Sequence, residues 1–214
     1  MRTTLLWMFV PVLACCTALL AADKPFVAHA DHVIAGEKMV PDKSHDPVLC
    51  SNVGPANNQF GSSGNFVAGP NNTVLGISQF MAVPCTPQTN RTLTTVKGAW
   101  QWYGYGANKI QICLYADSGS NSPGTQIGNC VTLTNLPTFL TSNTLVTANF
   151  TSQKLALTAG TQYWIIAQTP SRGTGSDSVD VWVGESGWMA SDVAGEGWSS
   201  SQPNLQGVMS VSGK

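Results

Sequence analysis

Residues 109–133 read KIQICLYADSGSNSPGTQIGNCVTL and decide the fold class. Apolar residues occupy alternate positions at the start of this stretch: Ile110, Ile112 and Leu114. The same period returns near its end, in Ile127, Val131 and Leu133. A period of two is typical of β-strands with one apolar face, and the Gly, Ser, Asn and Pro residues in between are typical of a turn. The stretch therefore predicts two antiparallel strands joined by one loop.

Similar segments recur along the rest of the chain: Thr73–Val83, Thr92–Tyr103, Thr144–Phe150, Lys154–Leu157, Gln162–Thr169, Ser178–Gly184 and Gln206–Val211. From residue 50 onwards there are six acidic residues (four Asp, two Glu) and six basic ones (four Lys, two Arg). This charge is too sparse to coat several soluble helices. We therefore predict an all-β domain over residues 50–214, an antiparallel β-sandwich of the jelly-roll-like or galactose-binding-like kind.

The segment before this domain predicts export. Leu5–Ala22 is an almost unbroken apolar run that follows Arg2 and ends in small residues, as in a secretory signal peptide. We assign residues 1–22 to this peptide and predict a secreted, extracellular or cell-surface protein with no membrane span in the mature chain. An alternative is a lipoprotein, because Val12-Leu13-Ala14-Cys15 loosely resembles the box in which a cysteine receives an N-terminal lipid.

Residues 23–49 predict a flexible polar tail, because they show neither alternation nor a helical stripe. All three histidines of the chain lie here: His29, His32 and His45. Their spacing is not that of a zinc hydrolase and no helix places two imidazoles on one face. A solvated linker is therefore favoured over a metal site.

Four cysteines remain after the leader, and they allow three pairings. Cys113 and Cys130 both fall on the polar faces of their strands, and these strands share one loop. We predict a Cys113–Cys130 disulfide, with Cys50–Cys85 following by elimination, whereas the alternative is reduced thiols. Export makes oxidation permissible.

Three stretches carry a resemblance: Thr92-Leu93-Thr94-Thr95-Val96, Leu114-Tyr115-Ala116-Asp117 with the following Pro123-Gly124, and Leu155–Trp164 with its Gly160-Thr161-Gln162-Tyr163 core. Together they resemble the secreted bacterial β-sandwich domains called choice-of-anchor domains, most closely the R type. The resemblance covers about Thr73 to Thr169. It implies a fold and an extracellular setting, and it implies no catalytic residue.

Ordinary enzyme signals are absent from the sequence. Gly184-Glu185-Ser186-Gly187 lacks the second spacer of a serine-hydrolase elbow, and no histidine follows residue 45 to act as base. No phosphate loop, dinucleotide motif or Cys-x-x-Cys pair predicts a cofactor. The loop Asp117–Asn121 offers oxygen ligands for calcium, but a turn is favoured because only one carboxylate is present. We predict a protein that is not an enzyme and uses no cofactor or metal.

Tryptophans are the remaining lead. We predict that Trp100, Trp102 and Trp164 lie in the core. In Ser178–Gly184 the valines take the inner face in our prediction, which places Trp182 outside. A platform for ligand binding is then formed by three indoles and three nearby acids: Trp182, Trp188, Trp198, Asp180, Glu185 and Glu196. A flat ring beside a hydrogen-bonding acid suits sugar recognition. The alternative is that Trp188 and Trp198 close the ends of the sandwich.

Three functions follow, from different classes. The first is a non-catalytic binding or adhesion module for an extracellular glycan or matrix polymer. The second is a purely structural envelope or matrix protein without a ligand, and the third, disfavoured, is a glycoside-cleaving enzyme that uses two of Asp180, Glu185, Asp192 and Glu196. A formal net charge of −1, without clustered Lys or Arg, argues against nucleic acid as a partner.

Overall fold

The computed structural model describes residues 29–31, 46–53, 63–141, 144–169, 177–185, 189–201 and 206–214. In chain order the strands are β1 (His29–Asp31), β2 (Val48–Ser51), β3 (Ser63–Ala68), β4 (Gln79–Cys85), β5 (Arg91–Gly98), β6 (Trp100–Tyr105), β7 (Lys109–Asp117), β8 (Pro123–Thr134), β9 (Val146–Asn149), β10 (Ala156–Leu157), β11 (Tyr163–Gln168), β12 (Val179–Glu185), β13 (Met189–Val193), β14 (Trp198–Ser201), β15 (Gln206–Gly207) and β16 (Met209–Gly213). Within these ranges the only helical element is a 3-10 turn, η1, at Thr151–Gln153.

The strands form two sheets, which we call the large and the small sheet. The large sheet has eleven strands, and its main path runs β15-β12-β3-β4-β11-β7-β8. To this path β6 adds on β12, β1 on β3, and the β13–β14 pair on β4. The small sheet runs β10-β5-β16-β2, with β9 also paired to β5. The named strands all pair antiparallel, so the predicted antiparallel β-sandwich is confirmed.

The hairpin predicted from residues 109–133 is formed by β7 and β8. Ile112 lies opposite Val131, and Leu114 lies opposite Ile127, so β8 carries extra residues between these two pairs. This β-bulge contains Gly128, whose φ of 67° is in the left-handed region that favours glycine. Ile127 on one side of the bulge and Val131 and Leu133 on the other pack against the same core.

The main core lies between the two sheets. Its large-sheet members include Val67, Val83, Ile112, Ile165 and Trp182, and its small-sheet members include Leu49, Leu93, Val96, Ala148 and Val211. Alternate apolar residues of each strand therefore meet across the sandwich, as the period of two requires. The predicted core positions of Trp100 and Trp164 are confirmed, since both are fully buried, while Trp102 is half-buried against the core.

Two crossings of the chain between the sheets are closed by three backbone hydrogen bonds. Ala99 is the single residue between β5 and β6, and Val208 is the single residue between β15 and β16. The Ala99 N–H donates to Val208 C=O at 3.1 Å, Val208 N–H donates to Val183 C=O at 2.9 Å, and Val183 N–H donates to Ala99 C=O at 2.9 Å. The two residues at which the chain crosses, Ala99 and Val208, are therefore both hydrogen-bonded to Val183 of β12.

Both predicted disulfides are present. Cys50–Cys85 joins β2 of the small sheet to β4 of the large sheet with a Cα–Cα distance of 5.6 Å, and Cys113–Cys130 joins β7 to β8 at 4.3 Å. The prediction that Cys113 lies on a polar face is wrong, because its side chain is fully buried in an outer apolar cluster with Trp164 and Ile166. Two disulfides fit an oxidising, extracellular environment.

Some strands differ from the predicted ones. β3, β13 and β14 were not predicted, because their Ser, Gly, Asn and Asp residues weaken the apolar alternation. Residues 73–78 are not a strand, since the Asn72 Oδ1 accepts the backbone N–H groups of Val74 and Leu75 at 3.1 and 2.6 Å and bends the chain. In the segment predicted as a flexible tail, β1 pairs with β3, and Val48 and Leu49 belong to β2.

Removing the disulfide between the sheets should lower stability. We expect the double variant Cys50→Ala/Cys85→Ala to lose about 3 to 4 kcal/mol of unfolding free energy, because the cross-link no longer restricts the unfolded chain. Chemical denaturation followed by tryptophan fluorescence measures this, with Ser51→Ala in the same strand as control. An unchanged denaturation midpoint in the double variant would contradict the role given to this cystine.

Candidate functional site

Trp182 does not belong to an exposed platform. Its side chain is fully buried in the main core, and its ring centroid lies 5.6 Å from that of Trp100. Its Nε1–H donates to the Val208 carbonyl at 3.0 Å. The prediction that Trp182 points outward is therefore wrong. Alternation separates the two faces of β12, but both faces are buried, so the pattern alone does not say which one meets the small sheet.

Asp180, which shares the face of Trp182, is also fully buried. Its Oδ2 accepts hydrogen bonds from the hydroxyls of Ser178 at 2.7 Å and Thr169 at 3.5 Å, while its Oδ1 has no hydrogen-bond partner. Burial raises the pKa of this carboxyl well above its ordinary value, and the two hydroxyls offset only part of the effect. A fully buried carboxyl cannot accept a hydrogen bond from a sugar hydroxyl at the surface. The prediction that Asp180 belongs to the binding platform is therefore wrong.

The other proposed platform residues lie apart from this pair. Trp198 opens β14, is half-buried, and packs against the outer apolar cluster of Ala82, Cys113, Trp164, Ile166 and Ala190. Glu196 is exposed in the turn before β14. Trp188 and the side chain of Glu185 lie outside the described residues. The structure therefore does not bring the described members of the predicted set together on one face.

Trp164 and Asp117 form a hydrogen-bonded network at the edge of the outer cluster. The Trp164 Nε1–H donates to Asp117 Oδ1 at 2.8 Å, and the Gln162 amide donates to the same oxygen at 3.1 Å. The Gly119 N–H donates to Asp117 Oδ2 at 2.8 Å. These bonds, led by that of Trp164, lower the pKa of Asp117. The carboxylate thus organises the turn of residues 117–122 against β11.

Aromatic side chains that the sequence analysis did not single out form a surface cluster on the outer face of β6. We call Tyr103, Tyr105 and Phe139 the aromatic patch. Tyr103 stacks on Tyr105 with ring centroids 6.0 Å apart, and it lies 5.6 Å from Phe139. Beneath them, Phe66 meets Tyr103 edge-on at 4.7 Å. Tyr105 is 50% exposed, so the cluster reaches solvent at this residue.

The loop that carries Phe139 is tied firmly to β6. The Trp102 N–H donates to the Pro137 carbonyl at 2.9 Å, and the Phe139 N–H donates to the Trp102 carbonyl at 2.7 Å. The Leu140 N–H donates to the Oε1 of the buried Gln101 at 3.1 Å. The ring of Phe139 is therefore held in place by backbone bonds rather than by its own contacts alone, which preorganises the aromatic patch.

Glycines on either side of Tyr105 fix the end of the strand. Gly104 and Gly106 have φ values of 98° and 66°, and a Cβ on Gly106 would collide with the Asp177 carbonyl. The Trp102 Nε1–H donates to the Tyr105 carbonyl at 3.0 Å. The repeat Tyr-Gly-Tyr-Gly at residues 103–106 was the available sequence signal, because two tyrosines at a spacing of two fall on the same face of a strand.

The electrostatic character of the aromatic patch is neutral. Residues 99–108 and 135–141 contain no Asp, Glu, Lys or Arg.

Among the described residues there is no group of three His, Cys, Asp or Glu side chains placed to hold a metal ion. The described ranges also contain no helix long and apolar enough to cross a membrane. Because residues 99–108 and 135–141 carry no charged side chain, the aromatic patch can offer ring stacking and hydroxyl hydrogen bonds but no pair of carboxylates for acid–base chemistry.

Comparison with known proteins gives no family. No protein-family model matches the chain, and no curated protein matches it either. The resemblance to choice-of-anchor domains stays a prediction.

Replacing Asp180 should change how stability depends on pH. Because the pKa of this carboxyl is higher in the folded than in the unfolded chain, the folded state holds the proton in the window between the two values. The unfolding free energy should therefore fall as pH rises through that window, by up to about 1.4 kcal/mol per pH unit. We expect Asp180→Asn to remove this slope and raise stability at neutral pH.

Denaturation midpoints measured from pH 4 upwards check this expectation, with Glu196→Gln, an exposed acid, as the control that keeps the wild-type slope. A wild-type slope retained in Asp180→Asn would show that the buried carboxyl is not its source.

Substitutions of two tryptophans should separate the core from the surface. Trp182→Phe loses the hydrogen bond to Val208 and leaves a void, so we expect it to lower the unfolding free energy by about 2 kcal/mol or more. Trp198→Phe, in a half-buried position, should cost clearly less. Guanidinium denaturation measures both, and equal losses would contradict the different burial of the two indoles.

Proposed function

We propose that this protein is a secreted, non-catalytic binding module for a neutral extracellular glycan or matrix polymer, and that the aromatic patch is its binding surface. The observation that carries the proposal is the half-exposed side chain of Tyr105, stacked on Tyr103 beside Phe139. This surface replaces the tryptophan platform expected from the sequence.

The chemistry of the patch suits sugars. A pyranose ring presents a face of C–H groups that packs on an aromatic ring, while its hydroxyls require donors and acceptors near the ring edge. Tyrosine supplies both the flat ring and a phenolic hydroxyl. Exposed threonines at positions 138 and 141 add hydroxyl groups on the adjoining loop. Since the patch carries no charge, a neutral polymer suits it better than an anionic one.

The scaffold around the patch supports an extracellular role. Two disulfides and a tightly bonded core give a rigid domain that suits conditions in which thiols are oxidised. The apolar run at residues 5–22 adds the prediction of export. Rigidity also lowers the entropy lost when a flexible polymer is bound, because the rings need not be ordered at that moment.

Two alternatives remain as outcomes of the test. A structural envelope or matrix protein without a ligand is favoured by the burial of Trp182, which removes one expected contact ring. Glycoside cleavage needs two carboxylates flanking an accessible cleft. Asp180 cannot serve in that way because it is fully buried and holds its proton more tightly than an ordinary carboxyl.

The proposal is tested with insoluble polysaccharide pull-down and a glycan array. We expect binding to at least one neutral glycan, and Tyr105→Ala should weaken that binding about tenfold, the order expected for a central aromatic contact. Tyr105→Phe should retain the stacking and most of the affinity. Phe139→Ala should weaken binding less, because its ring is half-buried.

Val48→Ala is the matched control, since Val48 is 58% exposed but lies on β2 of the small sheet. Loss of binding in this variant would place the surface elsewhere. Absence of any glycan signal in the wild-type protein would favour the structural role, and release of reducing sugars would favour the enzyme.

A further inference from the structure

We propose that the free edge of β8, residues 130–134, pairs antiparallel with the same edge of a second copy of this chain, so that the large sheets of two molecules continue into one another. The inference rests on the geometry of one strand and is independent of the glycan proposal. Its partner is a second copy, and the contact is two-fold symmetric.

β8 is the end strand of the main path of the large sheet. It is twelve residues long and pairs with β7 on one side. On its other side an edge strand presents N–H and C=O groups that another strand can use. Natural edges are usually protected by charges, yet residues 123–134 contain no Asp, Glu, Lys or Arg.

One part of this edge is already occupied. The Asn129 N–H donates to Gln153 Oε1 at 2.7 Å, and the Gln153 Nε2–H donates to the Asn129 carbonyl at 2.8 Å. The Gln153 side chain thus occupies the two backbone groups that a neighbouring strand would otherwise bind. The Gly128 carbonyl accepts a hydrogen bond from the Gln126 amide at 2.8 Å. Pro123, at the start of β8, has no N–H to donate. The first half of the edge is therefore closed to pairing.

In the described part of the chain, the second half has no strand paired on this side. Residues 130–134 find backbone partners there only on β7. Val131 and Leu133, which face the core, are half-buried, whereas their partners on β7, Ile112 and Ile110, are fully buried. A further strand beside β8 would cover these apolar side chains, so the core is incomplete at this edge.

The sequence of the free edge fits its own copy. In antiparallel pairing about a two-fold axis, the residue on the axis faces itself and its neighbours face each other in reverse order. With the axis at Thr132, the middle of the segment, Val131 faces Leu133 of the second copy, and apolar residues meet on the inner face. On the outer face Thr132 lies opposite Thr132 of the second copy, and a threonine pair is a favourable cross-strand pair. No charge opposes a like charge anywhere along the contact.

The test introduces a charged side chain at Thr132, the residue on the proposed two-fold axis. Sedimentation equilibrium of the wild-type protein, from low micromolar to submillimolar concentration, should show a monomer–dimer equilibrium. Thr132→Glu and Thr132→Lys should each weaken dimerisation by about tenfold or more, because the same charge then faces itself. An equimolar mixture of the two variants should restore the dimer, since opposite charges now meet.

Thr86→Glu is the control and should dimerise like the wild type. Thr86 is an exposed threonine that directly follows β4, and β11 and β7 separate β4 from β8 in the large sheet. Circular dichroism confirms that each variant folds, which is expected since Thr132 is exposed. The proposal is overturned by a wild-type protein that stays monomeric throughout, by a Thr132→Glu variant that dimerises normally, or by a mixture that fails to recover the dimer.

Discussion

The contact between the indoles of Trp100 and Trp182 is the constraint on which the two-sheet arrangement depends. Trp100 opens β6 directly after the chain leaves the small sheet, and Trp182 lies opposite it on β12. The hydrogen bond from Trp182 to Val208 reaches the residue where the chain returns to the small sheet. This pair of side chains therefore links the crossings at Ala99 and Val208, two of the places where the chain passes between the sheets. Because this corner is rigid, the outer face of β6 can carry aromatic rings whose position does not depend on a ligand.

The same corner explains why the surface chemistry lies where it does. Trp100, Trp102 and Trp182 pack in the main core from β6 and β12, whereas Tyr103 packs on the opposite side of the sheet. The outer face there is partly covered by Phe139 and its loop, so rings pack on one another and only the last remains open. Among the described residues, Tyr105 is the aromatic side chain with the largest exposed fraction, and it lies at the end of β6 beside this loop.

The sequence predicted the all-β sandwich because strand alternation is a local pattern. It predicted both disulfides because the strands of Cys113 and Cys130 share one loop, which left Cys50 and Cys85 as the remaining pair. It did not predict the aromatic patch and it misplaced two residues of the expected platform, because both depend on contacts between residues distant in the chain. Which face of β12 meets the small sheet depends on packing against β3 and β6, so Trp182 and Asp180 were placed on the wrong side. The link between Phe139 and Tyr103 joins residues far apart in the chain, and no single strand carries a signal for it.

The two hydrogen bonds between the Gln153 side chain and the backbone of Asn129 affect the tendency of the protein to aggregate. An uncharged edge as long as β8, if fully open, would let molecules add side by side in shifted registers and grow into cross-β fibrils. The bonds between Gln153 and Asn129 shorten the open part of the β8 edge to residues 130–134, so fewer registers are available to a second molecule. The Gln153 side chain thus limits open-ended growth along this edge of a protein with low net charge.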